Sequence, residues 1–568
     1  MATSQDLTEN EQLFLELVNR ARLDPAAEAE RYGIGLNDPT PGNPTDEPSQ
    51  VLTADPKQPL AHNPLLALAS TRHSDDMLAR NYFDHEAEDT QQSPAPNGVT
   101  PTERVRDAGY NLDAPSAVGE NIAWLGTTGT PDLQAYILDH HAGLFRSAGH
   151  RENILDDVFR ETGVAQGEGV FRFQPEGGIE RDYNASMLTH KFGTSGTEIF
   201  LTGVAYNDLD GDEFYSIGES KAGVDVSVAG TSDQTAPAGG YTLALAGGTT
   251  QTELSYTWDG ETRTVTVDMG GHNVKVDMVG GNRIMASGDL ALGDGLIEGG
   301  LLGAGDLILT GNDLDNLLIA GRGNNIIDGG DGYDIARFSG SKADYEISSP
   351  QDSTIVTDTR TGVESDGEND LTGIEKLIFA DGYHLFPGDG PMRVTGHLQD
   401  AAGDDMVGAS VEFTPQDDAT PKWGMATDAT GGFDLGLASG AAGRLHAQLD
   451  VREDDPDITA GDALNVLRIA VGLEPSFGPA QAQNFVAADL NGDQRVTAGD
   501  ALEVLRHAVG LESEHAPKWA FFDADTDWQT LEIDKDNVAV ERGVDIASLG
   551  TDADITMTGI LLGNMDTV

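Results

Sequence analysis

Three short segments place chemically capable side chains beside small or turn-forming residues: Tyr82-Phe83-Asp84-His85, Gly119-Glu120-Asn121-Ile122-Ala123 and Gly149-His150-Arg151-Glu152-Asn153-Ile154-Leu155. Two imidazoles and a carboxylate can hold a divalent metal, or can move a proton as acid and base. If His85, Glu120 and His150 share one cleft, a His-bound metal would activate water and Glu120 would take its proton, which is hydrolase chemistry. The same groups without turnover make a binding site. Taken singly, each also reads as a capping or satisfied buried polar group. No Gly-x-Ser-x-Gly or His-Glu-x-x-His pattern occurs, so those hydrolase classes have no signature here. The chain has no cysteine, which excludes disulfides, thiol catalysis and Cys-based zinc sites.

These residues need elements to position them. Thr8-x-x-Glu11 is a capping box, and Leu13, Phe14, Leu17, Val18 and Ala21 make the buried stripe of the helix it opens. Asn63-Pro64 caps a second helix, with Leu66, Ala69, His73 and Met77 along one face. His73 is then either a cleft residue or a core histidine. Tyr82 to Glu88 follows as a loop that carries His85. Thr102 to Ala108 reads as a short helix, and Thr130-Pro131 starts a long one, with Gly149-His150 at the turn after it. Glu161 to Phe173 and Ser186 to Phe192 alternate as paired strands.

Taken in this order, the block from Thr8 to Gly193 resembles the CAP superfamily in its bacterial form. Ala69 to Met77, Thr162-Gly163-Val164-Ala165 and Leu188-Thr189-His190-Lys191-Phe192-Gly193 belong to the same resemblance. It implies a three-layer α-β-α sandwich whose cleft takes its two histidines from His85 and His150 and its first glutamate from Glu120. The second cleft glutamate of animal and plant members is missing from Tyr136-Ile137-Leu138-Asp139-His140-His141, and His190 replaces the usual Gln of the closing strand. The incomplete set favours binding over hydrolysis.

Beyond Thr197 the chemistry is that of hard cations. Asp208, Asp210 and Asp212, the Phe214 carbonyl and Glu219 follow EF-hand ligand spacing, with Glu213 where Gly is expected at position six. This segment resembles calcium-binding B-type repeats of bacterial adhesins. Gly329-Gly330-Asp331-Gly332-Tyr333-Asp334-Ile335-Ala336-Arg337 fits a calcium nonapeptide, preceded by two weaker ones with Asn325 and Asn316 at the Asp position. It resembles the end of an RTX array, which implies a parallel β-roll holding Ca²⁺ at Asn325 and Asp334. Ile458 to Arg468 recurs as Val496 to Arg506. The second copy follows a full loop of Asp489, Asn491, Asp493, the Arg495 carbonyl and Asp500, whereas the first has Val451, Glu453, Asp455 and Asp462. The pair resembles a dockerin, with Leu464, Leu467 and Val471 packing against Leu502, Leu505 and Val509 as its core. Such a module implies a cohesin-like or other surface protein partner.

The expected fold class is therefore multidomain: an α/β CAP domain, all-β modules (β-sandwich and short parallel β-roll) and a small helical dockerin-like pair. The boundaries are 1–195 (CAP), 196–280 (calcium-binding β-sandwich), 281–390 (RTX-like roll and cap), 391–450 (resembling a carboxypeptidase-regulatory-like β-sandwich), 451–515 (dockerin-like) and 516–568 (C-terminal β segment with a secretion signal). A net charge of −63 over 568 residues disfavours nucleic acid and anionic membranes. No apolar run is long enough to span a bilayer. Ca²⁺ is the expected cofactor, with Zn²⁺ the candidate for the cleft, whose ligand would be a metal, lipid, peptide or glycan. Met1 to Asn10 lacks a secretion signal. Family resemblance implies export from a Gram-negative cell through an uncleaved C-terminal signal, with folding coupled to Ca²⁺ outside.

Overall fold

The computed structural model describes residues 6–86, 100–175, 178–228, 230–349, 353–362, 365–385, 392–416, 422–427, 430–437, 441–449, 451–452, 458–511, 513, 515–549 and 552–565. The chain forms two compact units, Met1–Ala380 and Asp381–Val568.

In the first unit the Thr8 hydroxyl accepts from the Glu11 N–H, and the Glu11 carboxylate accepts from the Thr8 N–H, so α1 (Glu9–Leu23) starts where the capping box places it. Its stripe of Leu13, Phe14, Leu17, Val18 and Ala21 is buried. Asp24 caps α2 (Pro25–Arg31). After the short β1 (Ala61–His62), Asn63 accepts from the N–H groups of Leu65 and Leu66 and caps α3 (Pro64–Arg80). There follow α4 (Pro101–Asp107), β2 (Ser116–Thr127), α5 (Leu133–Arg146), α6 (Ala148–Leu155), β3 (Glu161–Phe173) and β4 (Arg181–Ser195). Gly149 and His150 thus lie within a short helix, not at a turn; Ser147, in extended conformation, ends α5 and opens α6.

The sheet order is β1-β3-β4-β2, with β2 on an edge. Side chains alternate across it. Val164, Leu188 and Phe192 pack against α1, α5 and α6, while Ile122, Ala185 and Met187 meet Met77 of α3. This is an α-β-α arrangement. At Gly163 a Cβ would lie 2.0 Å from the Ala67 backbone nitrogen, so only glycine lets α3 approach β3 this closely.

From Ile199 two sheets run on together. Antiparallel pairing of Gln251–Trp258 with Glu261–Asp268 gives way to short parallel rungs. Arg283–Ala286, Glu298–Leu301, Leu317–Ile319, Ile335–Arg337 and Lys376–Phe379 stack in one sheet. Leu290–Leu292, Ile308–Thr310, Ile326–Asp328 and Glu368–Thr372 stack in the other. Val276 pairs with Ala286, and Val265 with Leu292, so hydrogen bonds cross residue 280 without a break. The α-β-α core is continuous with this region through Tyr206, Tyr215, Val279, Met285 and Ile319. One buried ion cluster joins them: the Lys275 ammonium lies 2.7 Å from Glu16 of α1 and also contacts Asp277.

The second unit is a β-sandwich with helices inserted. One sheet orders Gly432–Leu437, Met392–Asp400, Ala553–Leu561 and Trp519–Asp523; the other orders Lys422–Ala426, Ser410–Pro415, Gly443–Gln448 and Val544–Ile546. The last segment therefore shares both sheets with residues 391–450. Helices Ala460–Ala470, Ala482–Ala488 and Ala498–Ala508 interrupt them.

The expected core of the duplicated helices is corrected. Leu464, Leu467 and Val471 are 55%, 40% and 61% exposed, and Leu502, Leu505 and Val509 are 52%, 40% and 57% exposed. Each helix has two apolar faces. Ala463, Val466 and Ile469 in one copy, with Ala501 and Val504 in the other, are buried because that face meets Ala520, Phe522, Ile560 and Leu562. Both stripes keep helical periodicity, and the sandwich buries the other one.

Removing the ammonium of Lys275 strands two buried carboxylates, a loss typically worth about 3–5 kcal/mol. Lys275→Met should lower the melting temperature of the intact chain, and an unchanged value by calorimetry would contradict the assigned role.

Candidate functional site

Glu120 lies on edge strand β2, and its Cα partner across the sheet is Lys191 of β4. Directly opposed residues share a face, so the Lys191 ammonium is brought onto the Glu120 carboxylate, where it forms an ion pair. Arg104 of α4 reaches both Glu120 oxygens at 2.9 Å and also donates to the His85 carbonyl at 2.6 Å. His85 Nδ1 completes the cluster 2.8 Å from Glu120 Oε1. His73 Nε2 stands 3.8 Å from the same oxygen.

The electrostatics follow from this crowding. Burial would raise the Glu120 pKa, but the His85 hydrogen bond and the charges of Lys191, His73 and Arg104 outweigh it and hold the group at about 2. Burial brings Lys191 down to about 8, which leaves it charged at neutral pH. Burial also lowers His73 to about 4, so it is neutral there. Tyr82 lies 3.5 Å from His73 Nδ1 and donates to Asp76 at 2.6 Å. Glu120 is therefore an anion fixed between two cations.

His150 comes from α6. Asn121 donates to its carbonyl at 3.0 Å, and Asn153 donates to the Asn121 side chain at 2.8 Å and to the Glu120 carbonyl at 3.3 Å. These amides stitch α6 to β2. His150 Nδ1 is 2.8 Å from the Ser147 hydroxyl. Burial, then the charge of nearby His85, lowers its pKa. The structure thus joins His85 to Glu120 by a direct hydrogen bond and brings His150 into the electrostatic range of His85, with no bond between His150 and Glu120. On α5, His140 and His141 are spent in the core, on Ser186 and Glu28. His190 is buried on the opposite face, bonded to Thr162 and edge-on to Phe14.

Sequence reasoning assigned no role to Arg104, Lys191, Asn121 or Asn153. A lysine between His190 and Phe192 in an apolar strand was the available signal. The Arg104 guanidinium, in a short amphipathic helix, carried none.

The acidic loops have their own geometry. Among the described residues, only Asp208, Asp210 and Asp212 bring three ligand-type atoms within 4.8 Å of one another. Burial, then its two neighbours' charges, raises Asp212. Glu219 accepts from the N–H groups of Leu209 and Ser216, and the Phe214 ring lies under Arg20. Glu213, at position six, has φ 60°, and its carboxylate is held by Arg283 and Arg337. In the second loop, Gln494 at position six has φ 67°, and the glycines at position four, Gly211 and Gly492, have φ 73° and 71°. The two loops share one backbone signature despite lacking glycine at the sixth position.

In the second loop Asp489 accepts from the N–H groups of Asp493 and Gln494, Asn491 from Asp493, Asp493 from Arg495, and Asp500 from Asn491 and Thr497. Burial, then Asp500, raises Asp489. In the first copy Glu453 and Asp455 lie outside the described residues. Asp462 there accepts from Thr459 on one oxygen and from the Met565 N–H on the other.

At the stacked turns Asn325 donates to the carbonyls of Gly321 and Gly323 and to Asn369, and Asn316 donates to the Leu296 carbonyl. Asp334 is fully buried, with Oδ1 accepting from the Asn316 N–H and Oδ2 unpartnered. Burial, then Glu375, Asp315 and Asp328, pushes it up to about 8 against that hydrogen bond.

Residues 15–169 match the family described as CAP, the cysteine-rich secretory protein family, although this chain has no cysteine. The chain carries a CAP domain there, and Lys191 of the Glu120 cluster lies beyond the matched span. No curated protein matches the sequence. Among solved structures, the chain is 24% identical to an extracellular protein containing a SCP domain from Bacillus anthracis str. Ames, over 24% of this chain and 34% of that one, with a TM-score of 0.15. The match thus spans about a third of that protein's length. The Bacillus anthracis TIE protein aligns at 8% identity over 52% of this chain and 55% of that one, with a TM-score of 0.11. The pilus adhesin SpaC from Lactobacillus rhamnosus GG aligns at 8% identity over 76% and 59%, also with a TM-score of 0.11.

A Glu120 carboxylate held at about 2 against an ordinary 4.5 contributes stability that is fully present above pH 4.5 and is lost as pH falls through 2. The shift corresponds to roughly 3 kcal/mol. Denaturant midpoints of the wild type minus those of Glu120→Gln should be positive at neutral pH and shrink across that window. A difference independent of pH would contradict the ion-pair assignment.

Proposed function

We propose that the CAP domain is a binding module rather than a hydrolase, holding a divalent metal such as Zn²⁺ through His85 and His150. The observation that carries this reading is the state of Glu120. Arg104 and Lys191 already neutralise it, and a carboxylate at about pKa 2 is a poor base near neutral pH. Its remaining use is to orient His85. Each imidazole has its Nδ1 held by oxygen, His85 by Glu120 and His150 by Ser147. That leaves Nε2 to face a ligand, the arrangement that second-shell groups give metal-binding histidines. A metal there would supply open coordination positions for a peptide, lipid or glycan donor. Asn121 and Asn153 tie the helix carrying His150 to the strand carrying Glu120.

The rest of the chain supports a secreted, modular, calcium-stabilised protein. The matched family is one of secretory proteins, and no helix among the described residues is long and apolar enough to cross a membrane. Mutual repulsion at Asp208, Asp210 and Asp212, and at Asp489, Asp493 and Asp500, is relieved by a bound cation. Asp334 offers the stacked rungs one open carboxylate oxygen, whereas the amides of Asn316 and Asn325 already occupy their carbonyls. We therefore place Ca²⁺ in the two loops and at Asp334, which is the remnant of the RTX-like pattern. Export by a C-terminal signal remains part of this reading.

A second reading, docking to a surface protein, is favoured by the exposed leucines and valines repeated on Ala460–Ala470 and Ala498–Ala508. Paired Leu464→Glu and Leu502→Glu substitutions should abolish Ca²⁺-dependent capture of a partner without changing the melting temperature.

Zinc titration of the intact chain should show one cleft site, weakened at least about tenfold by His85→Ala or His150→Ala. Glu120→Gln should leave peptide and glycan hydrolysis at background. Hydrolysis by the wild type that the substitution removes would restore the enzyme reading. Ca²⁺ should raise the melting temperature, and Asp210→Ala with Asp493→Ala should cancel most of the rise.

A further inference from the structure

In a chain where acids outnumber bases 96 to 33, a basic side chain rarely lacks a partner. Within Asp381–Val568, Arg393 pairs with Asp434, Arg444 with Glu541 and Asp545, and Arg495 and Lys535 with Asp536. Arg452 and Arg468 donate to the carbonyls of Val407 and Glu474. Among the described side chains of this unit, Arg542 and Lys518 have neither a hydrogen bond nor an ion pair, and both line one cavity of about 410 Å³.

The cavity lies at a corner of the sandwich. The Trp519 N–H donates to the Leu449 carbonyl and the Gly543 N–H to the Phe521 carbonyl, which draws the two sheets together there. His446 and Gln448 add an imidazole and an amide from Gly443–Gln448. The one acid in the lining is Glu412, the Cα partner of His446; its carboxylate accepts from the Thr414 hydroxyl at 3.2 Å. Arg542 is half-buried. Burial lowers its pKa, and Asp489 opposes this through space without a hydrogen bond. A guanidinium taken partly out of water without a hydrogen-bond partner has lost solvation that no protein hydrogen bond returns. Guanidinium geometry matches two oxygens of one anion, and an ammonium beside it adds a point charge.

We propose that this corner is a binding site for a small oxyanion, a carboxylate or sulfate seated between Arg542 and Lys518. The cavity is within the size range of small-molecule sites, and the amide and imidazole suit the hydroxyls of an acidic sugar. Glu412 disfavours dianionic ligands with no polar body, which sets the preference toward a carboxylate on a sugar over free sulfate.

Calorimetric titration of the full chain at low ionic strength tests this, with glucuronate, inorganic sulfate and neutral glucose as probes. Glucuronate should bind, sulfate more weakly, and glucose not at all. Arg542→Gln and Lys518→Gln should each weaken binding at least about tenfold, and Glu412→Gln should strengthen it. Lys518 is exposed, so its variant separates recognition from folding. Failure of both anions to bind at concentrations on the order of 10 mM, equal binding in the Arg542→Gln and Lys518→Gln variants, or equal binding of glucose would each overturn the proposal.

Discussion

A carboxylate cannot sit in an edge strand's interior face unless its charge is met, and Glu120 is met from three elements. Lys191 comes from the neighbouring strand, Arg104 from α4, and His85 from the loop after α3. Each partner fixes one element relative to β2. The Arg104 bond to the His85 carbonyl also pins the loop that presents the imidazole. The same charge therefore closes the helix layer and aims a candidate ligand. With those bonds made, the carboxylate is ionised at any physiological pH and has little capacity to take a further proton. That ionised state is what the proposed binding role rests on.

The local elements of this domain were legible because their signals are short-range. A capping box, an Asn-Pro cap and strict alternation each act over a few residues, and Thr8, Asn63 and β3 show them. His85 and Glu120 could be paired by resemblance. Their neutralisation by Arg104 and Lys191 could not, because it depends on strand register and on the placement of α4. Lys191 meets Glu120 only because those two positions oppose each other, and a slip of one residue would present His190 instead. The helix pair in the second unit teaches the converse. Two apolar stripes were present in each helix, and the choice between Leu464 and Val466 belongs to the sandwich strands carrying Phe522 and Ile560.

The acidic loops show how a backbone requirement outlasts the residue that usually meets it. Glu213 and Gln494 occupy left-handed conformations that glycine takes more cheaply. At Glu213 two arginines hold the side chain, which offsets the local strain. In the stacked rungs, amide donors from Asn316 and Asn325 satisfy the turn carbonyls, and Asp334 is left as a carboxyl whose second oxygen has no partner. The chain thus combines clustered carboxylates in its two acidic loops with stacked turns where neutral amides satisfy the backbone.

The ionisation of Glu120 decides between a held anion and a working base. Carbon-13 NMR of glutamate-labelled protein, with the Glu120 carboxyl assigned by its loss in Glu120→Gln, reports it directly. The Glu120 resonance should stay in the ionised position down to about pH 2. A midpoint near neutrality would show a protonatable base and contradict it.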